Sequence, residues 1–151
     1  MSNRFLRRLV VALIVAATGG GSYQAYLDGV PIGETIDGIV LHVVDGDTMR
    51  LNGIKIRLWG VNAPETDAYG GDRATDELQE QALLKKLSCV IRDRDKYGRI
   101  VAQCFRNKQD IGAAIIRSGW ARDYPRYSKG YYLKDEATAR YEHRGLWGRK
   151  S

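Results

Sequence analysis

An α+β fold is predicted for this 151-residue chain by three features. Five short runs with strand-like alternation occupy most of residues 36–105, and they are interrupted once, by a helical segment at 72–87. Two further helical segments, 110–118 and 134–144, follow the last strand, so strands and helices are largely segregated along the chain. Asn52-Gly53 lies between two of the runs and is the strongest two-residue signal for a tight hairpin turn. The length suits one domain with a real core, and the composition, 44% hydrophobic and 28% charged, is that of an ordinary globular protein.

Residues 1–21 open with Arg4, Arg7 and Arg8, followed by the apolar run 9–17 and then Thr18 and three glycines. Nine apolar residues suit the core of a signal peptide better than a membrane span. The expectation is export, with an uncleaved anchor over residues 4–18 as the alternative. Residues 22–34 carry Gly29, Pro31 and Gly33 and are expected to be a linker, leaving 35–149 as the folded domain.

The first strand, 36–44, carries Ile36, Ile39, Val40, Val43 and Val44. Thr48–Leu51 and residues 54–59 are the second and third. Alternation puts Ile54, Ile56 and Leu58 on one face of the third, and Lys55, Arg57 and Trp59 on the other. Pro64 cannot donate to a ladder, so it ends this region and holds residues 62–65 as a stiff turn. Residues 67–71 are polar and contain glycine, and a mobile loop is expected there. In the helix predicted over 72–87, Asp72 is the cap, Asp76 and Glu77 sit early, and Lys85 and Lys86 close it, in keeping with the macrodipole. Ala74, Leu78, Ala82, Leu83 and Leu87 are its buried stripe, and its acidic residues, Glu80 included, form a solvated face.

Residues 89–93 and 99–105 are the last two strands, joined by Asp-Lys-Tyr-Gly-Arg at 95–99. The turn centre, between Lys96 and Tyr97, lies midway between Cys89 and Cys104, so a symmetric hairpin sets the cysteines opposite one another. In an exported chain they are expected to form a disulfide; in a cytosolic one, two small buried hydrophobes. The helix over 110–118 is capped by Asp110 and stopped at Gly119, with Ile111, Ala114 and Ile115 on its apolar side. In the last helix, 134–144, Ala137 and Tyr141 are one turn apart. Gly145 is expected as its C-terminal cap, with Leu146 and Trp147 folding back on the final turn.

Three motifs in order, Asp-Gly-Asp-Thr at 45–48, Ile-Arg-Leu-Trp-Gly-Val-Asn-Ala-Pro-Glu-Thr at 56–66 and Asp-Lys-Tyr-Gly-Arg at 95–99, resemble the staphylococcal (micrococcal, thermonuclease) nuclease family. The resemblance runs from about residue 36 to 147. It implies a five-stranded OB-type β-barrel with three α-helices, and calcium-dependent hydrolysis of DNA and RNA leaving a 3′-phosphate. Matched position by position, it implies Asp47 as a metal carboxylate, Glu65 as the activator of water, and Arg57 and Arg99 as the phosphate-binding arginines. Lys96 and Tyr97 would contact a terminal phosphate. Ala63 would offer a metal only its backbone carbonyl. Asn62 departs from the pattern, which usually has an aspartate ligand there.

The residue types suit that chemistry. Arginine stays charged and its planar fork can hold two phosphate oxygens. The oxygen donors Asp47, Asn62 and Ala63 imply a hard ion, calcium or magnesium. The two histidines, His42 and His143, lack ligand-like neighbours, which argues against a zinc or histidine site. Asp45 is expected either to hydrogen-bond its own turn or to support a metal ligand. Tyr124 and Tyr127, among Arg122 and Arg126, read either as a stacking surface for bases or as plain amphipathic packing. Tyr131 and Tyr132 have no specific reading.

Net charge is +6 with a sequence pI near 9.4, which favours a polyanionic partner. Without residues 1–21 the chain would carry 21 basic against 18 acidic residues, or +3, so charge supports nucleic-acid binding only mildly. A monomer acting on DNA and RNA is expected, touching a membrane only through an uncleaved N-terminal segment. Two rivals remain: a non-catalytic OB-type module binding nucleic acid or another polyanion, and an accessory exported protein of cell-surface polymer metabolism.

Overall fold

A computed structural model describes residues 29–148. The signal peptide or anchor expected over 1–21, and the linker as far as residue 28, lie outside the described residues. No helix among those described is long and apolar enough to cross a membrane.

Five long strands form the barrel: β1 (Thr35–Asp45), β2 (Thr48–Leu51), β3 (Ile54–Leu58), β5 (Lys86–Arg94) and β6 (Ile100–Arg106). Their sheet order is β3-β2-β1-β5-β6, antiparallel throughout, and a parallel pairing of β3 with β6 closes it through Ile56–Ile100 and Leu58–Ala102. This is the expected OB-type α+β architecture. Short pairs complete it: β4 (Val61–Asn62) with β8 (Arg122–Asp123), and β7 (Gln109–Asp110) with β6.

The hairpin lies where the Asn-Gly pair predicts. Asn52 (φ 48°) and Gly53 (φ 87°) both take the positive φ that a type I′ turn demands. The Asn52 side chain also accepts from the Ile39 amide, tying the turn to β1. Ile54, Ile56 and Leu58 are buried together with Met49, Leu51, Ile91 and Ile100, and this is the barrel core. Lys55, Arg57 and Trp59 face outward and are half-buried.

The first helix, α1, covers Gly71–Ala82 and not 72–87. It has no side-chain cap: Gly70, at φ 85°, precedes it and Asp72 falls in its first turn. It ends five residues early because the barrel claims the rest. Leu83 leaves the helix to bridge Val40, Leu84 turns at φ 58°, and Lys86 and Leu87 begin β5, where Leu87 is buried. Leu-Leu-Lys-Lys-Leu is good helix sequence, but pairing of β5 with β1 outweighs that preference.

Helix α2 (Ile111–Arg117) is capped as expected, with Asp110 accepting from the Ala113 amide, and Gly119 (φ 87°) follows its end. A single turn, α3 (Pro125–Ser128), adds to the three expected helices. The last helix, α4, is Leu133–Tyr141, shorter than 134–144. Its buried residues are Glu136 and Ala139, while Ala137 and Tyr141 are exposed. Glu136 sets this rotation: it accepts from the Asp123 amide and from Arg140. Gly145 opens a 3₁₀ turn (Gly145–Trp147) and does not cap α4; His143 takes the left-handed conformation beyond the helix end. Trp147 does fold back, with the Arg140 guanidinium 4.1 Å from its ring centre.

Candidate active site

The site grows from the Asp45-Gly46-Asp47 turn. Asp45 accepts from the Asp47 amide at 3.0 Å, the local turn role and one of its two expected uses. Gly46 is wedged so that a Cβ would meet those of Ala74 (2.5 Å) and Ala63 (2.7 Å). The turn therefore sits directly on α1 and on the chain following β4. Asp47 is buried, its Oδ1 accepting from the Thr48 hydroxyl and its Oδ2 from the Ala63 amide at 3.1 Å. Burial pushes the Asp47 carboxyl above its ordinary range and the neighbouring Asp45 adds to the rise, together outweighing the Arg57 charge and the Ala63 and Thr48 donors.

Arg57 is anchored from three directions. It pairs with Asp47 Oδ2 at 3.3 Å and donates to the carbonyls of Leu58 (3.2 Å) and Val61 (3.0 Å). Those carbonyls are in reach because Gly60, at φ 68°, reverses the chain between β3 and β4.

Arg99 arrives from the other hairpin. Asp95 accepts from the amides of Tyr97 and Arg99, at 2.9 Å each, and pairs with the Arg99 Nε. Partial burial pushes the Asp95 carboxyl up, but the Arg99 side chain, the two amides and the Arg99 charge outweigh it and hold it below the usual range. The sequence reading left Asp95 out, although an aspartate four residues before an arginine across a Tyr-Gly turn was a visible signal.

Both arginines open into one cleft of about 410 Å³, where Lys96, Tyr97, Tyr124 and Tyr127 also line the walls. Tyr124 and Tyr127 meet edge to face at 4.9 Å, and the Arg126 guanidinium lies 5.8 Å from the Tyr127 ring centre. Arg94 and Arg126 line the cleft too, and the sequence reading did not include Arg94 in the site. Asn62 and Ala63 line a neighbouring cleft of about 440 Å³.

Glu65 lines neither cleft and is exposed. Its backbone is nonetheless fixed. The Glu65 carbonyl accepts from the Ala68 amide, the Ala68 carbonyl accepts from Gly71, and any Cβ at Gly71 would run into the Glu65 carbonyl oxygen. The 67–71 segment expected as a mobile loop carries these two backbone bonds, and its residues 67–69 are exposed. Of the oxygen donors the resemblance implies for a metal, Ala63 is tied to Asp47 through its backbone amide, and Asn62 and Ala63 line the neighbouring cleft; a carboxylate, an amide oxygen and a carbonyl are donor types that suit a hard divalent cation. Among the described residues, no group of three or more His, Cys, Asp or Glu side chains comes together as a metal site.

The structure is thus a closed OB-type barrel that carries two braced arginines into one tyrosine-lined cleft. The family model described as staphylococcal nuclease homologue matches residues 55–149, more than half the chain, and the chain belongs to that family. Asp47 lies ahead of the matched residues. Among curated relatives, the chain is 35% identical to the succinoglycan biosynthesis protein ExoI of Rhizobium meliloti (strain 1021), over 70% of this chain and 61% of that one. It is 31% identical to an uncharacterized endonuclease of Escherichia coli, covering 74% and 77% of the two. It is 27% identical to the micrococcal nuclease of Shigella flexneri, covering 78% and 77%. The chain therefore spans about three fifths of the first of these relatives and about three quarters of the other two.

Proposed function

We propose that this protein is a metal-dependent phosphodiesterase, an endonuclease hydrolysing DNA and RNA to leave 3′-phosphate ends. The observation that carries this reading is the convergence of Arg57 and Arg99 on one cleft with Lys96 and three tyrosines. Two guanidiniums can hold the non-bridging oxygens of a phosphodiester and stabilise the charge that builds on them as water adds. Glu65 is the base that takes the proton of that water as the new O–P bond forms; the P–O5′ bond breaks, and the leaving O5′ takes up a proton from solvent to depart as a hydroxyl. Asp47, Asn62 and the Ala63 carbonyl are the residues to hold calcium or magnesium, which would supply Lewis-acid polarisation and orient the water. Lys96 and Tyr97 bind a flanking phosphate, and Tyr124 and Tyr127 stack a base. The Cys89–Cys104 disulfide supports action in an oxidising compartment, after export.

The test is cleavage of single-stranded DNA and of RNA with calcium, with magnesium and with chelator, at single turnover. Arg57→Gly, Arg99→Gly and Glu65→Gln should each lower the rate roughly 10²–10⁴-fold, and double variants should fall less than multiplicatively. Wild-type rates in Arg57→Gly and Glu65→Gln would remove the nuclease reading. Asn62→Asp restores a charge to the metal set, so calcium titration should reach half-maximal activity at lower concentration. An unchanged or higher requirement would exclude Asn62 as a ligand.

A second reading has one observation behind it. The relative at 35% identity is named for succinoglycan biosynthesis, so the barrel could act beside a polysaccharide. Retention on an acidic polysaccharide with no cleavage of nucleic acid would favour that role.

A further inference from the structure

Three features that work against the fold meet on one outward face of the barrel. The first is a β-bulge in β1, where the register with β2 slips between Val40 and His42. Both Leu41 and His42 are exposed there, Leu41 to 58%. The second is Leu84, which turns the chain between α1 and β5 at φ 58°. A leucine in that left-handed conformation is an outlier, and its side chain is 73% exposed, so packing does not hold it there. The Leu84 amide donates to the Val40 carbonyl at 2.8 Å, which sets it beside the bulge. The third is charge: Arg50 on β2 lies directly opposite Lys55 on β3, and like charges so placed repel.

These features belong to one patch. Ile39, 46% exposed, pairs with Lys86 of β5, and His42 pairs with Arg50. Of the five exposed leucines and isoleucines among the described residues, Ile39, Leu41 and Leu84 are three, a clustering that scattered surface residues do not give. Around them stand Arg50, Lys55 and Lys86, none in an ion pair among the described residues. No acidic residue occurs in 38–44, 48–58 or 83–92. Asp37, two residues before Ile39, accepts from the Ser88 hydroxyl. The three apolar residues and three cations line neither cleft.

We propose that this face docks the barrel onto an anionic lipid bilayer. Leu41 and Leu84 enter the acyl boundary, and Arg50, Lys55 and Lys86 lie on the headgroup phosphates. Aliphatic side chains inside a ring of unpaired cations match a surface that is negative outside and hydrocarbon within. Nucleic acid offers phosphates but nothing for a leucine, since its bases stack on aromatic and guanidinium planes. A stable protein interface takes roughly 20–30 residues a side, far more than this patch holds. The inference goes beyond the nuclease reading and does not depend on it.

The test uses the full chain carrying Leu41→Cys labelled with nitrobenzoxadiazole, a dye that brightens on leaving water. Cys89 and Cys104, joined in the disulfide, do not compete for the label. Vesicles of phosphatidylcholine and phosphatidylglycerol in equal parts should brighten the dye, and phosphatidylcholine alone should not. The same dye at Tyr141→Cys, on α4, which packs on α2, β8 and the final turn, should stay dim. That control separates docking by this face from attachment by any other part of the chain. Arg50→Gln, Lys55→Gln and Lys86→Gln together should raise the lipid concentration needed about 100-fold, at about fivefold per cation near an anionic surface. Leu84→Asn should raise it about tenfold, as one leucine leaves the bilayer, without lowering the urea midpoint, because asparagine tolerates the left-handed turn. The proposal is overturned if the dye at position 41 stays dim on both vesicles, if the dye at 141 brightens equally, or if either variant docks as its labelled parent does. Brightening with a DNA duplex and not with vesicles would also overturn it and make the face part of a substrate path. Brightening with protein concentration alone would make it an interface between copies instead.

Discussion

Arg99 is useful to a phosphate only while its side chain is aimed, and Asp95 does the aiming. The carboxylate fastens the turn through two amides and the guanidinium through an ion pair, so one side chain fixes both backbone and aim. Its carboxyl is held below the ordinary value of about 3.9, which gives the pH dependence a definite sign. The stabilisation is complete above that ordinary value and disappears as pH falls through the lower folded one. Asp95→Asn should therefore cost stability at neutral pH, and its deficit should shrink below about pH 4, as followed by urea unfolding across a pH series. A deficit constant down to acid unfolding would show that the charge of Asp95 contributes nothing.

At the scale of elements, the β5–β6 hairpin carries Arg99, and its register is locked twice. Cys89 is paired with Cys104 in the ladder, and the two are joined by a disulfide. Bridging residues 15 apart constrains the unfolded chain by about 3 kcal/mol in the loop-entropy model. Cys89→Ala with Cys104→Ala should lower unfolding free energy by about that amount under non-reducing conditions, the lost Sγ packing adding to it. The variant's denaturant slope should rise, because its unfolded state is less compact. An unchanged midpoint would mean the cysteines act only as buried filler. Thiol alkylation followed by intact-mass measurement supplies the direct check, with no alkylated cysteine expected in protein isolated without reductant.

Across the whole molecule, the barrel and its helices are joined by a polar chain. Arg92 donates to Gln103 on β6, Gln103 donates to Asp110 at the start of α2, and Tyr132, preceding α4, donates to the same carboxylate. Tyr132 is fully buried, and Trp59 at the end of β3 packs on it at 5.8 Å between ring centres. Burial first, and the Asp110 charge and hydrogen bond after it, push the phenol far above its ordinary range. Its contribution to stability is therefore complete below the ordinary tyrosine value of about 10 and is lost as pH rises from there toward the higher folded one, while the folded protein keeps the hydroxyl protonated. Tyr132→Phe should cost about 1–3 kcal/mol by taking a donor from Asp110. In a spectrophotometric titration of the wild-type protein, one tyrosine should ionise only as the protein unfolds in alkali. The Phe variant should lack that late step.

Short-range chemistry was legible without the structure. The Asn52-Gly53 hairpin, the inward face of β3, the Asp110 cap and the opposition of Cys89 to Cys104 depend on residues close in sequence or on symmetry about one turn, and local sterics and hydrogen bonding decide them. Motif order made the barrel and its arginines readable as a resemblance. The length of α1, the rotation of α4 and the pairing of β4 with β8 were not readable, because each is decided by a distant partner. Val40 takes Leu83 from the helix, the Asp123 amide turns Glu136 inward, and Arg122 meets Asn62 across 60 residues of chain. Helix preference among 83–87 differs from strand preference by tenths of a kcal/mol per residue, and one buried contact outweighs it. The sequence by itself determined which side chains could do phosphate chemistry. The tertiary structure alone decided that Arg57 and Arg99 share a cleft while Asn62 and Ala63 line another, because contacts between strands distant in sequence set both.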